Sequence, residues 1–278
     1  MWMILNYRQV LEVKGADRFT FLQGLITQDI TKLVPELPLY SLFLTNTGRF
    51  FCDFFMVTEG ESIFLTPGAS TREVFQKKLS FYKLRNDVSV QYCPHWVVAA
   101  RLPQKASSLL GGGTVFRDPR WVGLGEIFIG PSHCLKEATS DSTLYESHRL
   151  ALGVPEGPLD LEPEKSIPLE NWMDELNAIS WSKGCFLGQE LTARTKHVGE
   201  VRKKLLPFSA SQAVSRGDLL FQSTGLEVGR IVNTYQNGQQ GFALIRKERV
   251  PHDSKVLTAK GVACVHLRDP IFIDNLKK

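Results

Sequence analysis

Trp181-Ser182-Lys183-Gly184-Cys185-Phe186-Leu187-Gly188-Gln189-Glu190-Leu191-Thr192-Ala193-Arg194 is the most distinctive stretch of the 278-residue chain. Gly184 and Gly188 bracket Cys185 and permit tight turns and close approach on both sides of its thiol. From Gly188 onward the residues favour helix, so Cys185 is expected just before a helix N-terminus. That position, with Lys183 two residues upstream, would favour the thiolate, while a nearby Glu190 carboxylate would oppose it. A small buried core cysteine is the competing reading of the same residues.

Outward from this segment, the composition describes an ordinary globular chain: 43% hydrophobic, 22% charged, with 33 Lys and Arg against 29 Asp and Glu. Such an apolar fraction is able to build a core, and the length suggests about two domains. A net charge of +4 is too small to make the whole protein an electrostatic nucleic-acid binder, so any basic function must be local. No run of apolar residues is long enough to span a membrane. The start of the chain does not read as a secretory signal, and the expected setting is the cytoplasm, or the mitochondrial matrix for a processed form. Cys52, Cys93, Cys134, Cys185 and Cys264 are widely spaced and contain no Cys-x-x-Cys pair. That spacing argues against a disulfide framework, a zinc ribbon and a local four-cysteine cluster, and it points to a reducing compartment. The histidines, 95, 133, 148, 197, 252 and 266, show no metal-ligand spacing, and no metal site is expected.

Hydrophobic patterning predicts a strand at Gln9–Val13, a helix capped by Asp17, and a meander of Leu39–Thr45, Phe50–Thr58 and Ser62–Thr66. A capping box at Ser70–Glu73 predicts a helix through Phe75, Leu79 and Tyr82, followed by strands at Val88–Tyr92 and Trp96–Ala100. A second cycle follows, with a short helix from Gln104 to the Gly111-Gly112-Gly113 turn, strands at Thr114–Phe116 and Glu126–Ile129, and a helix from Asp141 or Ser142 to Gly153. Strands and helices in this mixture indicate α+β. Between Val154 and Ile179, Pro155, Pro158, Pro163 and Pro168 oppose helix and suggest a functional connection or a linker. After Glu200 come six short β-prone runs, starting at Lys204 and ending at Val262–Val265, with an Asn237-Gly238 hairpin signal; they predict a small barrel or sandwich. The expected division is 1–200 and 201–278, with a subdomain border near 95.

Lys183-Gly184-Cys185-Phe186-Leu187-Gly188-Gln189-Glu190 closely resembles the Lys-Gly-Cys-Tyr-x-Gly-Gln-Glu signature of the YgfZ family of folate-binding iron-sulfur assembly proteins. That family is related to the T-protein, the aminomethyltransferase of the glycine cleavage system. Phe186 stands in place of Tyr and keeps the aromatic face. Further landmarks are similar and occur in order: Phe21-Leu22-Gln23-Gly24 with Thr27-Gln28-Asp29, Asn46-Thr47-Gly48-Arg49 with Asp53, Arg117-Asp118-Pro119-Arg120, and Gly153-Val154-Pro155-Glu156. Pro168-Leu169-Glu170-Asn171 and the C-terminal strands complete the match.

The resemblance implies an aminomethyltransferase-like α+β fold, two interleaved subdomains around a central channel, with a C-terminal β-barrel. It implies tetrahydrofolate as ligand and iron-sulfur client or assembly proteins as partners, including radical enzymes that modify tRNA. Cys185 would be the reactive group, attacking a sulfur or one-carbon adduct or transiently ligating cluster iron. Lys183 would support it, and Asp53 would correspond to an acidic position of the transferase pocket. Here the Gly-Gly-x-x-Asp-Asp of those relatives is reduced to Gly48-Arg49-Phe50-Phe51-Cys52-Asp53, and a strand Asp53 that faces solvent or pairs with Arg49 is the competing reading. Asn46, Arg49, Trp181, Phe186, Gln189, Glu190 and Arg194 are the candidate folate-binding residues. The basic run 194–204 would hold an anionic ligand tail or an acidic partner, or be solvated charge. Two other readings stand beside this one: a tetrahydrofolate-dependent aminomethyl- or methyltransferase, and a tRNA- or protein-binding module. Direct nucleic-acid binding is not expected, and the protein is expected to be a monomer.

Overall fold

The computed structural model describes residues 1–103, 112–135, 137–250, 255–258 and 263–276. The predicted meander forms as Leu39–Leu44, Phe50–Glu59 and Ser62–Leu65, paired in antiparallel register. Leu11–Lys14 pairs with Ser62–Leu65, and Ser89–Tyr92 closes that edge, which makes a five-stranded sheet. Arg72–Tyr82 covers one face through Phe75 and Leu79, as their helical spacing requires. The capping box does not form, because Thr71 occupies the cap position and makes no capping hydrogen bond through its side chain.

Trp2–Ile4 belongs to a second five-stranded sheet, with Trp96–Arg101, Glu126–Pro131, Thr114–Arg117 and Ala138–Thr139. The chain therefore starts in one sheet, builds the other, and returns between Tyr92 and Trp96, so the two α+β units interleave. Thr143–Leu152 is the predicted second-cycle helix, and it ends at Gly153 in the left-handed conformation. The short helix expected from Gln104 lies outside the described residues, as does His252. The C-terminal strands Lys203–Ala210, Leu219–Phe221, Glu227–Tyr235, Gln240–Arg246, Lys255–Thr258 and Cys264–Leu267 close into a six-stranded barrel. Asn237 and Gly238 both take positive φ at the predicted turn.

The proline-rich segment after Gly153 differs from a solvated linker. Val154, Glu156, Leu161, Leu169, Trp172, Met173, Leu176 and Ala178 are buried, and most join the main core cluster. Prolines stop it from forming a long helix, but its apolar residues still drive burial, giving short turns such as Gly157–Asp160 and Pro168–Asn171 packed between the sheets and the barrel.

Candidate functional site

The segment around Cys185 is a loop pinned at both ends. Lys183 is buried, and its Nζ donates to the carbonyl oxygens of Gln23 (2.7 Å), Ile26 (2.6 Å) and Gln28 (3.1 Å). Burial pushes this ammonium down to about 8, against a weaker opposing pull from Asp29. Leu187 N donates to Gly24 O, Ser180 N to Thr27 O, and the Thr27 hydroxyl to Ala178 O. Two stretches that are distant in sequence, 21–29 and 176–190, are thus stitched together by main-chain acceptors. Phe186 is buried in the core, and Lys183 Nζ lies 5.2 Å from its ring centroid.

Gly188 caps the helix Gln189–His197 with φ +77°. A Cβ there would stand 2.3 Å from Thr45 O, and one on Gly48 would stand 2.9 Å from Gly188 O, so the 45–48 hairpin turn packs backbone to backbone against the signature. Only glycine permits this approach at these positive φ values. Between these anchors Gly184 and Cys185 are exposed. Of the five cysteines Cys185 alone is exposed; Cys52 and Cys134 are buried, and Cys93 and Cys264 are partly so. Burial pushes the Cys52 thiol far up and the Cys93 thiol up, which keeps both protonated and poorly nucleophilic. The core-cysteine reading therefore holds for Cys52 and Cys134 but not for Cys185.

The other expected residues fall into three places. Trp181 Nε1 donates to Asp174 (2.6 Å) and its ring meets His197 edge-on, while Lys196 pairs with the same Asp174 at 2.5 Å. Gln189 is half-buried, and Glu190 and Arg194 are exposed along the helix after the thiol. Asn46 and Arg49 sit on the hairpin; Arg49 Nη1 donates to Lys165 O at 3.1 Å. In the run 194–204, Lys204 is likewise committed, to Leu169 O and Glu175.

Asp53 lies elsewhere, and it neither faces solvent nor pairs with Arg49. It is fully buried, and its Oδ2 accepts from Arg8 Nη2 and the Tyr40 hydroxyl, both at 2.6 Å. Arg8 also pairs with Glu156, which receives Arg120 Nη1 at 2.7 Å; Arg120 is in turn paired with Asp118 and accepts no solvent contact. Burial works against the Glu156 charge, yet Arg8, Arg120 and Arg149 hold its carboxyl down to about 2. Arg149 extends the network through Asp160 to Tyr235 on the barrel. The network therefore ties both sheets to the barrel at their junction. None of Arg8, Arg120, Arg149 or Glu156 was singled out for its charge in the sequence. The signal was there in the form of ionisable residues set among apolar residues and prolines, as in Val154-Pro155-Glu156-Gly157-Pro158.

The second oxygen of Asp53, Oδ1, is buried without a hydrogen-bond partner. A Cβ on Gly157 would lie 2.0 Å from it. The cavity beside it, lined by Ser70, Thr71 and Gly157 among others, measures about 30 Å³, room for a water molecule and far too little for a pterin. Cys185 is not among the residues lining it.

Comparison with known proteins agrees with this architecture. Residues 202–271 match the family model for the CAF17 C-terminal beta-barrel domain. The mitochondrial iron-sulfur cluster assembly factor IBA57 of mouse is 31% identical over 290 residues, covering 92% of this chain and 80% of that protein. The human protein of the same name is 31% identical over 288 residues with the same coverage. Among solved structures, the glycine cleavage system aminomethyltransferase T from Bartonella henselae superposes with a TM-score of 0.74 over 98% of this chain and 85% of that one, at 14% identity, a likeness of fold. With a closed C-terminal barrel, an aminomethyltransferase-like body and 31% identity to these factors over 92% of its length, the chain belongs to the YgfZ/IBA57-type family.

Proposed function

We propose that the chain acts in iron-sulfur cluster assembly, as the names of its mouse and human relatives state for them, and that Cys185 is its working thiol. The observation that carries this reading is the exposure of Cys185 on a loop whose neighbours are clamped by the Lys183 and Gly188 contacts. An exposed thiol on a fixed loop pays little to reorganise when it binds iron. Iron-sulfur clusters are held by several thiolates, and among the described residues no group of His, Cys, Asp and Glu is placed to hold a metal ion. One thiolate from this chain therefore needs ligands from a second molecule, so the cluster is cargo shared with an assembly or client protein. The relatives are named mitochondrial, which favours the mitochondrial setting over the cytoplasm for this chain.

Tetrahydrofolate does not fit at Asp53. One carboxylate oxygen is committed to Arg8 and Tyr40, and the other adjoins a cavity of about 30 Å³, far too small for a pterin. A one-carbon transfer step has no pocket at that residue. The thiol reading is tested in cells that lack the endogenous protein. Wild type is expected to restore client iron-sulfur enzymes, among them radical enzymes that modify tRNA, and Cys185→Ser to leave them inactive. Full restoration by Cys185→Ser would refute the role of the thiol.

A further inference from the structure

The helix Arg72–Tyr82 carries two apolar faces, and the fold uses one of them. Phe75 and Leu79 pack on the first sheet and are fully buried. On the outer side Val74 and Phe81 lie two helical turns apart and are 48% and 74% exposed. Lys77 and Lys78 fall between them at helical spacing, and Leu84, 82% exposed, continues the line past the helix end with Arg85. Single apolar residues scattered over a surface are ordinary, but these three share one line about 15 Å long.

Leu84 is the telling member. The helix closes at Lys83, and Leu84 takes the left-handed conformation, φ 46°, at the position where glycine or asparagine usually ends a helix. The turn that follows holds it there, with Asn86 N donating to Lys83 O at 2.8 Å. A leucine at positive φ costs conformational energy, and this one recovers almost none of it by burial. Folding therefore does not account for its apolar side chain, nor for Phe81, whose ring meets Tyr82 edge-on and stays mostly in solvent. Around them the chain carries Arg72, Lys77, Lys78, Lys83 and Arg85 against Glu73 and Asp87. Glu73 is spent on Lys77 at 2.8 Å and Asp87 accepts from Ala16 N at 3.2 Å. Among the described residues neither Lys78 nor Arg85 pairs with a carboxylate, so the stripe keeps a positive excess.

We propose that this stripe docks the protein on the surface of an anionic phospholipid bilayer. Phe81 and Leu84 enter the boundary between headgroups and acyl chains, and Val74 follows at the shallow end of the helix. Lys77, Lys78 and Arg85 lay their aliphatic stems along that boundary and bring their charges to the lipid phosphates. The alternation of cations with apolar residues favours lipid over a protein partner, because the cores of protein interfaces are depleted of lysine and in-plane amphipathic helices are rich in it. The contact is peripheral: among the described residues no helix is long and apolar enough to cross a membrane. No residue of the Cys185 loop takes part, so the proposal stands without the thiol reading.

The test is co-sedimentation of the full chain with vesicles of equal parts phosphatidylcholine and phosphatidylglycerol, and with vesicles of phosphatidylcholine alone. Wild type is expected to bind the anionic vesicles about tenfold more strongly than the neutral ones, and to come off as salt is raised. The double variant Phe81→Ser, Leu84→Asn is expected to lose about tenfold in binding to the anionic vesicles. Its urea midpoint should be no lower than that of wild type, since serine matches phenylalanine in helix propensity and asparagine suits the left-handed backbone better than leucine. Leu144→Ser removes another exposed leucine, on the helix Thr143–Leu152, and is expected to bind as wild type does. Absence of binding to the anionic vesicles, equal binding to the neutral ones, or full binding by the double variant would overturn the proposal. So would a wild-type dimer in sedimentation equilibrium that the double variant dissolves, because the stripe would then cover a second copy of this chain.

Discussion

The junction around Glu156 and the loop around Cys185 are both built from polar residues in a mostly apolar protein, but they treat them in opposite ways. At the junction the charges are desolvated and paired: each of Arg8, Arg120 and Arg149 meets at least one of Asp53, Asp118, Glu156 and Asp160 inside the molecule, while Asp53 Oδ1 is left without a partner. In the loop the polar groups on either side of Cys185 are bonded to backbone while the thiol itself is left free in solvent. Buried ion pairs contribute little net stability when compared with apolar packing, but removing one partner is costly. The junction therefore fixes how three units sit together, and the loop turns that rigidity into a presented nucleophile.

The largest effect should come from breaking the junction. Glu156→Ala strands Arg8 and Arg120 and is expected to cost about 3–5 kcal/mol in urea unfolding, with the barrel and the sheets no longer melting together. The same group predicts acid sensitivity. Its folded pKa, about 2, lies below the ordinary carboxylate value, so its stabilisation is complete above pH 4.5 and is lost as pH falls toward 2. Wild type and Glu156→Gln should therefore converge in stability over that window, and parallel curves would remove Glu156 from its central place.

Next in size is Gly188→Ala, whose Cβ would run into Thr45 O at a positive φ; a loss of roughly 3 kcal/mol is expected in the same assay. Lys183→Met, which leaves three carbonyl oxygens without their shared donor, should cost about 1–3 kcal/mol. Because burial lowers the Lys183 pKa to about 8 from 10.5, the folded chain releases this proton before the unfolded one does. The stability difference between wild type and Lys183→Met should then shift in favour of wild type as pH rises from 8 to 10.5. A flat difference would mean that the carbonyl cage keeps the ammonium charged. At the small end, Lys196→Ala removes a half-exposed pair with Asp174 and should change stability by less than about 1 kcal/mol.

Much of this contrast was legible in the sequence, but unevenly. The meander from Leu39 to Leu65 and the barrel strands after Lys203 follow from alternation and turn residues, because local chemistry decides them. The segment after Gly153 reads as a connection or linker from its sequence, since prolines report only the absence of helix, and burial of Trp172, Met173 and Leu176 depends on partners far along the chain. The signature pointed to Cys185 through its two glycines, and its exposure follows from the local loop. Lys183 looked like an electrostatic aid to the thiol; its amine instead reaches back to carbonyls at 23, 26 and 28, a contact set by tertiary docking alone. Asp53 pairs with Arg8, 45 residues away, for the same reason.

The most direct test of the thiol's role is made with the purified chain and a glutathione-ligated [2Fe–2S] cluster, followed by visible circular dichroism under anaerobic conditions. Transfer of one coordination position from glutathione to Cys185 would place the cluster in a chiral protein setting. Wild type should develop a visible dichroic signal, and Cys185→Ser, with stability within about 0.5 kcal/mol of wild type in urea, should develop none. An equal signal from Cys185→Ser would contradict the account, because the cluster would then be held without the one thiol the fold presents.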